Sequence, residues 1–313
     1  MTAISTTMMA LRAHARGGPE QLVYEQAPTP VPGPGEALVE VHAAAITFAE
    51  LTWDQTWTTL DGQDRTPTIP SHEVSGTVVG LGPGASGVGV RDEVYGLIDF
   101  DRNGAAAQYV TLPVAQLAAR PRSVSHVETA TLPLAALTAW QALVDYAALE
   151  RGERVLVTGG TGGVGLFAVQ LAAILGGQVT ATGRGPYADL MRDLGAERYL
   201  EAGTGETPDG FDVLIDTVGG SVLDGSYGLL REGGRLVTLG APPDQERAGR
   251  HKIHAMFFVV EQDARALADL AGMAGAGRLR EMVSQRFPLE QGRQAFASGR
   301  QARAPGKTVL IVR

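Results

Sequence analysis

A run of small residues carries the most specific chemistry in this chain. Arg154-Val-Leu-Val-Thr-Gly159 reads as a short apolar strand that passes directly into Gly159-Gly160-Thr161-Gly162-Gly163-Val164-Gly165 and then into an amphipathic helix. The spacing is Gly-x-x-Gly-x-x-Gly. Small residues let such a turn come close to a pyrophosphate. The helix behind it aims free backbone N–H groups and the positive end of its dipole at the anion. A glycine trio can also be no more than a tight strand-to-helix turn. Here strand, turn and helix are followed by two further strand–helix units, which fits a dinucleotide site.

The second strand of such a unit tells the nucleotides apart. NAD sites usually end it in Asp or Glu, about 20 residues on, to hold the ribose 2′-OH. Gln178-Val-Thr-Ala-Thr-Gly183 ends without an acid, and Arg184 follows at once. A guanidinium can pair a 2′-phosphate in a fork, so NADPH is the expected cofactor; the alternative is that Arg184 is a solvated loop charge. Tyr187 and Arg303 are weaker candidates for flanking the adenosine phosphate. The strand ending in Asp216 should deliver its last residues to the ligand crevice, so Val218 and Gly219 are predicted on the nicotinamide side, with Asp216 structural. Gly240 is expected beside the ribose, and Phe257, Phe258 and Val259 as a loop over the nicotinamide. The basic run Arg250-His251-Lys252 with His254 reads either as an anion site or as solvated surface.

The elements that must position these residues change character along the chain. Residues 1 to about 120 hold short strands between turn signals, among them Ala37 to Ala45, Val74 to Leu81, Asp92 to Ile98 and Ala106 to Thr111, as in a small barrel-like domain. From Val127 the pattern becomes helical, interrupted at Pro133, and then alternates strand and helix through Gly240. The strands there are apolar on both faces, which predicts a doubly wound parallel sheet. A later helix, Ala264 to Gly277, and a final strand, KTVLIV, close the chain.

Composition sets outer limits. With 313 residues and 44% hydrophobic content the chain can bury a large core, and about two domains are expected. Its net charge of −8 argues against nucleic acid as a partner. There is no cysteine, which removes thiol nucleophiles, disulfides and thiolate zinc sites. No segment has the length of a membrane span, and the first residues lack the pattern of a secretory signal, so a cytoplasmic protein is expected.

Taken in order, these segments resemble the medium-chain dehydrogenase/reductase superfamily, and within it the zinc-independent quinone oxidoreductase-like branch. The resemblance rests on MALRAHARGGPEQLVYEQAPTPVPGPGEALVEVHAAAIT, PTIPSHEVSGTVVGLGPGASGVGVRDEVYGL, GAAAQYV, LPLAALTAWQAL, the glycine turn, FDVLIDTVGG, LLREGGRLVTLG and GKTVLIV. It implies a GroES-like β-barrel domain over 1–122 and 262–313 and a Rossmann NADP(H)-binding domain over 123–261, with the cofactor in the cleft between them. It also implies a homodimer and a nicotinamide contact at Thr138. Zinc-dependent relatives carry Cys where this chain has Thr47 and use a His where it has His72. With Thr47 a poor ligand and no Cys, catalytic zinc is not expected. The quinone reductase branch usually shows Asn-Pro-x-Asp where this chain has Thr47-Phe48-Ala49-Glu50.

The chemistry expected is hydride transfer from NADPH to a flat, electron-poor acceptor, a quinone or an α,β-unsaturated carbonyl compound. Thr47 and His72 are the candidates for the reacting centre. Phe48, Trp53, Trp57 and Tyr95 are candidates for walling the acceptor. Trp53 and Trp57 are four apart and would share a helix face, or else both cover core surface. Two other readings stand beside this one: a reductase dedicated to one large enone or polyketide-like intermediate, and an NADPH-binding protein with little catalysis.

Overall fold

The computed structural model describes residues 4–59, 61–203, 208–301 and 304–313. They form two compact units. The first comprises Met1–Leu134, Gln262–Ala276 and Glu281–Arg313, and the second Ala135–Glu261 with Gly277–Arg280. The division thus falls at 134/135, not at 122/123. The segment before it is tied to the first unit: the Leu134 N–H donates to Glu73 Oε2 at 3.0 Å, and His126 lies against Ser75 and His42.

The first unit is β-rich. An antiparallel hairpin pairs Thr7–Ala13 with Leu22–Pro28. A seven-stranded sheet runs Val283–Pro288, Lys307–Ile311, Glu36–Ile46, Glu73–Leu81, Glu93–Leu97, Leu117–Ala119, with Tyr109–Pro113 also pairing Glu36–Ile46. Alternation along Glu36–Ile46 turns Val39 and Val41, and beyond a register shift between Val41 and Ala43 also Ile46, into a core shared with Leu11, Val74, Ile98 and Leu112. The strand Lys307–Ile311 lies antiparallel to Glu36–Ile46, pairing Thr308 with Ile46, and Glu73 pairs with Ala45 on the other side.

The second unit carries a six-stranded parallel sheet in the order Arg198–Glu201, Gln178–Gly183, Arg154–Thr158, Phe211–Asp216, Leu230–Thr238, His254–Phe257. Numbered within the unit this is 3-2-1-4-5-6, the order of dinucleotide folds. It places the topological switch point between Arg154–Thr158 and Phe211–Asp216. Val155, Leu156 and Val157 are buried, as are Val213, Leu214 and Ile215, which is why these strands read as unbroken apolar runs. Of the residues expected to form a loop over the nicotinamide, Phe257 is the last residue of the sheet's edge strand, His254–Phe257. Phe258 is buried and stacked on Tyr146 at 4.1 Å between ring centroids; Val259 is exposed.

Among the described residues no helix is long and apolar enough to cross a membrane.

Candidate active site

In the second unit the glycine turn opens at the switch point. Gly159 follows Thr158 with φ +71°, a left-handed conformation that costs a glycine little. The helix Gly163–Ile174 starts behind it with Gly162 as its N-cap, and no side chain caps it. Gly162 is exposed and Thr161, Gly163 and Val164 are half-buried, so the first N–H groups of this helix face outward. Gly165 is buried directly against the turn, and a Cβ there would drive into the Gly159 carbonyl oxygen. The helix start can therefore come this close only as glycine.

Asp216 is fully buried and ties the neighbouring strand ends together. Its carboxylate accepts hydrogen bonds from Thr158 Oγ1 at 2.7 Å and Thr238 Oγ1 at 3.0 Å, and from the Gly219 N–H at 3.0 Å. It is a structural clamp on the crevice, which leaves Val218 exposed and sets Gly219 at φ +75°. Gly240 is exposed after the adjoining strand, with its N–H on Thr238 Oγ1. Arg184 is exposed directly after Gln178–Gly183, and among the described residues it has no hydrogen-bond or ion-pair partner. Tyr187 is half-buried near it; Tyr199 donates to the Gly185 carbonyl at 2.8 Å and braces this turn. Thr138 is buried in the helix Ala135–Gln141. Arg303 lies outside the described residues. In the basic run, Arg250 pairs with Glu246 and Lys252 with Glu232, as solvated surface charges do.

In the first unit two buried carboxylates organise the other candidates. Glu50 Oε2 accepts from the Ser71 N–H and lies 3.0 Å from His72 Nδ1. His72 and Glu50 are both almost wholly buried, and His72 Nε2 has no hydrogen-bond partner. Phe100 meets the His72 ring edge-on at 5.4 Å, and Trp53 meets Phe100 edge-on at 5.2 Å. Trp53 is half-buried, so one face of this aromatic trio reaches the surface. Glu73 Oε1 forms an ion pair with Lys307, whose ammonium also donates to Thr47 Oγ1 at 3.1 Å. Burial pushes the Glu73 carboxyl above the usual carboxylate range, against the pull of the Lys307 ammonium.

Three expected wall residues are placed elsewhere. Trp57 is buried with its Nε1–H on the Leu51 carbonyl at 3.1 Å, and it belongs to the core. The helix Asp54–Trp57 is a single turn whose N-cap, Trp53, has extended backbone, so the two indoles do not share a face. Tyr95 is fully inaccessible, and its hydroxyl donates to the Leu267 carbonyl. Phe48 packs onto the same core as Trp57, its ring over Gly299. Of the acceptor-side residues, Thr47 and Trp53 are half-buried and keep positions from which a ligand can be met, as does Phe100. His72, Glu50 and Lys307 are buried and reach a ligand only through these neighbours.

Zinc would find a poor donor set here. Among the described residues no group of three or more His, Cys, Asp or Glu could hold a metal ion. The Thr47 and Glu73 oxygens that flank the cluster are already engaged by a cation, Lys307. A nicotinamide dinucleotide, in contrast, fits the second unit: the uncapped helix start and the small residues of the turn around the exposed Gly162 suit a pyrophosphate.

Comparison with known proteins supports this fold. The family description "Alcohol dehydrogenase GroES-like domain" matches residues 33–122, and "Zinc-binding dehydrogenase" matches residues 190–310. A probable mitochondrial zinc-binding oxidoreductase of Arthroderma benhamiae is 33% identical, over 93% of each chain. The quinone oxidoreductase structure from Coxiella burnetii superposes with a TM-score of 0.90 at 27% identity, covering 98% of this chain and 100% of that one. The CurK enoyl reductase superposes with a TM-score of 0.85 at 25% identity, covering 98% and 99%. The chain belongs to the medium-chain dehydrogenase/reductase superfamily, in its quinone oxidoreductase-like group. It is an oxidoreductase of a family that uses a nicotinamide cofactor.

Proposed function

We propose that this protein reduces quinones or α,β-unsaturated carbonyl compounds with NADPH and without catalytic zinc. The observation that carries the cofactor choice is Arg184: an exposed guanidinium, without a protein partner among the described residues, directly after a second strand that ends in no acid. When bound, the nucleotide supplies a hydride. The chain holds its pyrophosphate at the start of Gly163–Ile174, its 2′-phosphate at Arg184, and its nicotinamide end by Val218 and Gly219.

On the acceptor side, Trp53 with Phe100 offers an aromatic wall for a planar molecule. The Thr47 hydroxyl donates a hydrogen bond to the acceptor's carbonyl oxygen, where negative charge gathers as the remote carbon accepts hydride. The engagement of Thr47 and Glu73 by Lys307 supports a metal-free site. A second reading, an enoyl reductase for one bulky intermediate, is favoured by the likeness to the CurK enoyl reductase.

The test is nucleotide oxidation over a panel of benzoquinones and enones by chelator-treated protein. Turnover with NADPH well above NADH, untouched by chelation, is expected. Activity lost on chelation and restored by zinc would overturn the metal-free reading. Turnover confined to one bulky enone would favour the second reading.

A further inference from the structure

One buried charge has no part in the reduction as proposed: the ammonium of Lys307. Its neighbours follow from register. Thr308 pairs with Ile46, so Lys307 comes level with Thr47, and Glu73 pairs with Ala45 on the opposite side of the same strand. Residues two apart on a strand share a face, so Ala45 and Thr47 share theirs. The small Ala45 leaves room for the Glu73 and Lys307 side chains to meet, and they pair while almost fully buried. Glu73 is held at its other oxygen by the Leu134 N–H at 3.0 Å. Lys307 is thus anchored, and its ammonium reaches Thr47 Oγ1 at 3.1 Å.

We propose that Lys307 is a positioning residue that fixes the Thr47 hydroxyl as a one-way hydrogen-bond donor to the oxyanion of the acceptor. A hydroxyl has one proton to donate and two lone pairs to accept with, whereas an ammonium only donates. Once Oγ1 accepts from Lys307, its own proton must point elsewhere, and among the described residues no acceptor takes it. Thr47 is half-buried, so this proton is left to a ligand. The nearby positive charge also strengthens the donor. The choice of residue agrees: of the 26 basic residues only Lys252 and Lys307 are lysines. A compact ammonium reaches two partners at an angle that a planar guanidinium fork does not match.

The role rests on the enone or quinone reading above. Hydride arriving at the remote carbon of an enone moves the alkene pair toward the carbonyl, and the oxygen takes the negative charge. Thr47 keeps its proton throughout and only shares it; solvent later protonates the enolate.

The experiment uses the full chain and two readouts. One is kcat with whichever of cyclohexenone and benzoquinone the wild type reduces. The other is binding of 4-nitrophenolate, a planar anion whose oxygen carries delocalised charge, followed by its absorbance with and without NADP+. The variants are Thr47→Val, Thr47→Ser and the pair Glu73→Gln/Lys307→Met, which removes both buried charges together. Thr47→Val and the charge-free pair should each lower kcat by about 100-fold, the usual loss for one oxyanion donor, and weaken nitrophenolate binding. Thr47→Ser should recover part of both relative to Thr47→Val. Combining Thr47→Val with the charge-free pair should cost no more than either alone, with NADPH affinity unchanged. Additive losses, or nitrophenolate affinity unmoved in the charge-free pair, would overturn the assignment. If that pair does not fold, Lys307→Gln replaces it: the amide oxygen can accept the Thr47 proton and turn it inward, so the same losses are expected. Nitrophenolate binding with this pattern, but no nucleotide oxidation by any acceptor, would uphold the role of Lys307 and reject the reductase reading. Turnover with all variants equal would do the reverse.

Discussion

At the scale of single residues, the proposed preference for NADPH rests on one side chain. Arg184 stands exposed after Gly183, where a carboxylate would be needed to hold a free ribose hydroxyl. A charged hydrogen-bond pair contributes roughly 1.5–3 kcal/mol, or about 10- to 100-fold in affinity. Arg184→Ala should therefore raise the KM for NADPH by that order and leave the KM for NADH nearly unchanged, as steady-state kinetics with both nucleotides would show. Equal changes would remove the 2′-phosphate contact. Arg184 could be singled out in the sequence because it directly follows a strand whose pattern is local. Lys307 could not, because its partners Glu73 and Thr47 come from distant strands and only the sheet register brings them level. The signal that was available, one of two lysines lying in an apolar strand, carries meaning only once a buried carboxylate is known to face it.

At the scale of elements, the strand Arg154–Thr158, its turn and the helix Gly163–Ile174 work as one piece. Gly165→Val would set a branched side chain against the Gly159 carbonyl and push the helix start out of line. Titration calorimetry should then show NADPH binding weakened by at least about ten-fold, a loss of roughly 1.4 kcal/mol, with the far-UV spectrum still that of a folded protein. Unchanged affinity would mean that the turn does not hold the nucleotide. This piece could be read from sequence because steric limits on turns are local. The Trp53 to Trp57 stretch could not. Four-residue spacing implies a shared face only on a continuous helix, and here the helix is one turn long with Trp53 outside it. Edge strands were also hard to read: Arg198–Glu201 and His254–Phe257 are short and only partly buried, so their patterns lack the long apolar runs of the central strands.

At the scale of the whole molecule, the acid response should come from the first unit. Burial and the neighbouring His42 hold the His126 imidazole down to about 4, and burial also lowers His42; their rings lie 4.1 Å apart. The folded protein then refuses protons that the unfolded chain binds below the ordinary imidazole value of 6.5. Stability is therefore full above that value and falls as pH drops toward 4. Urea midpoints measured across this range should decline, and the decline should be shallower in His126→Gln; identical slopes would place the acid sensitivity elsewhere. The two-unit organisation was legible from the change in periodicity near Val127, whereas its border was set by long-range contacts of Glu73 and His126 that no local pattern shows.

The strand Lys307–Ile311 lies between Glu36–Ile46 and Val283–Pro288. During synthesis, Ala43 to Ile46 leave the ribosome early and wait with one backbone edge bare until Lys307–Ile311 arrives, after the entire parallel sheet has been made. A bare edge is a template for pairing between nascent chains. A premature stop ahead of Lys307 should therefore yield not a shortened enzyme but a sticky sheet with an open edge, a substrate for chaperones and proteases.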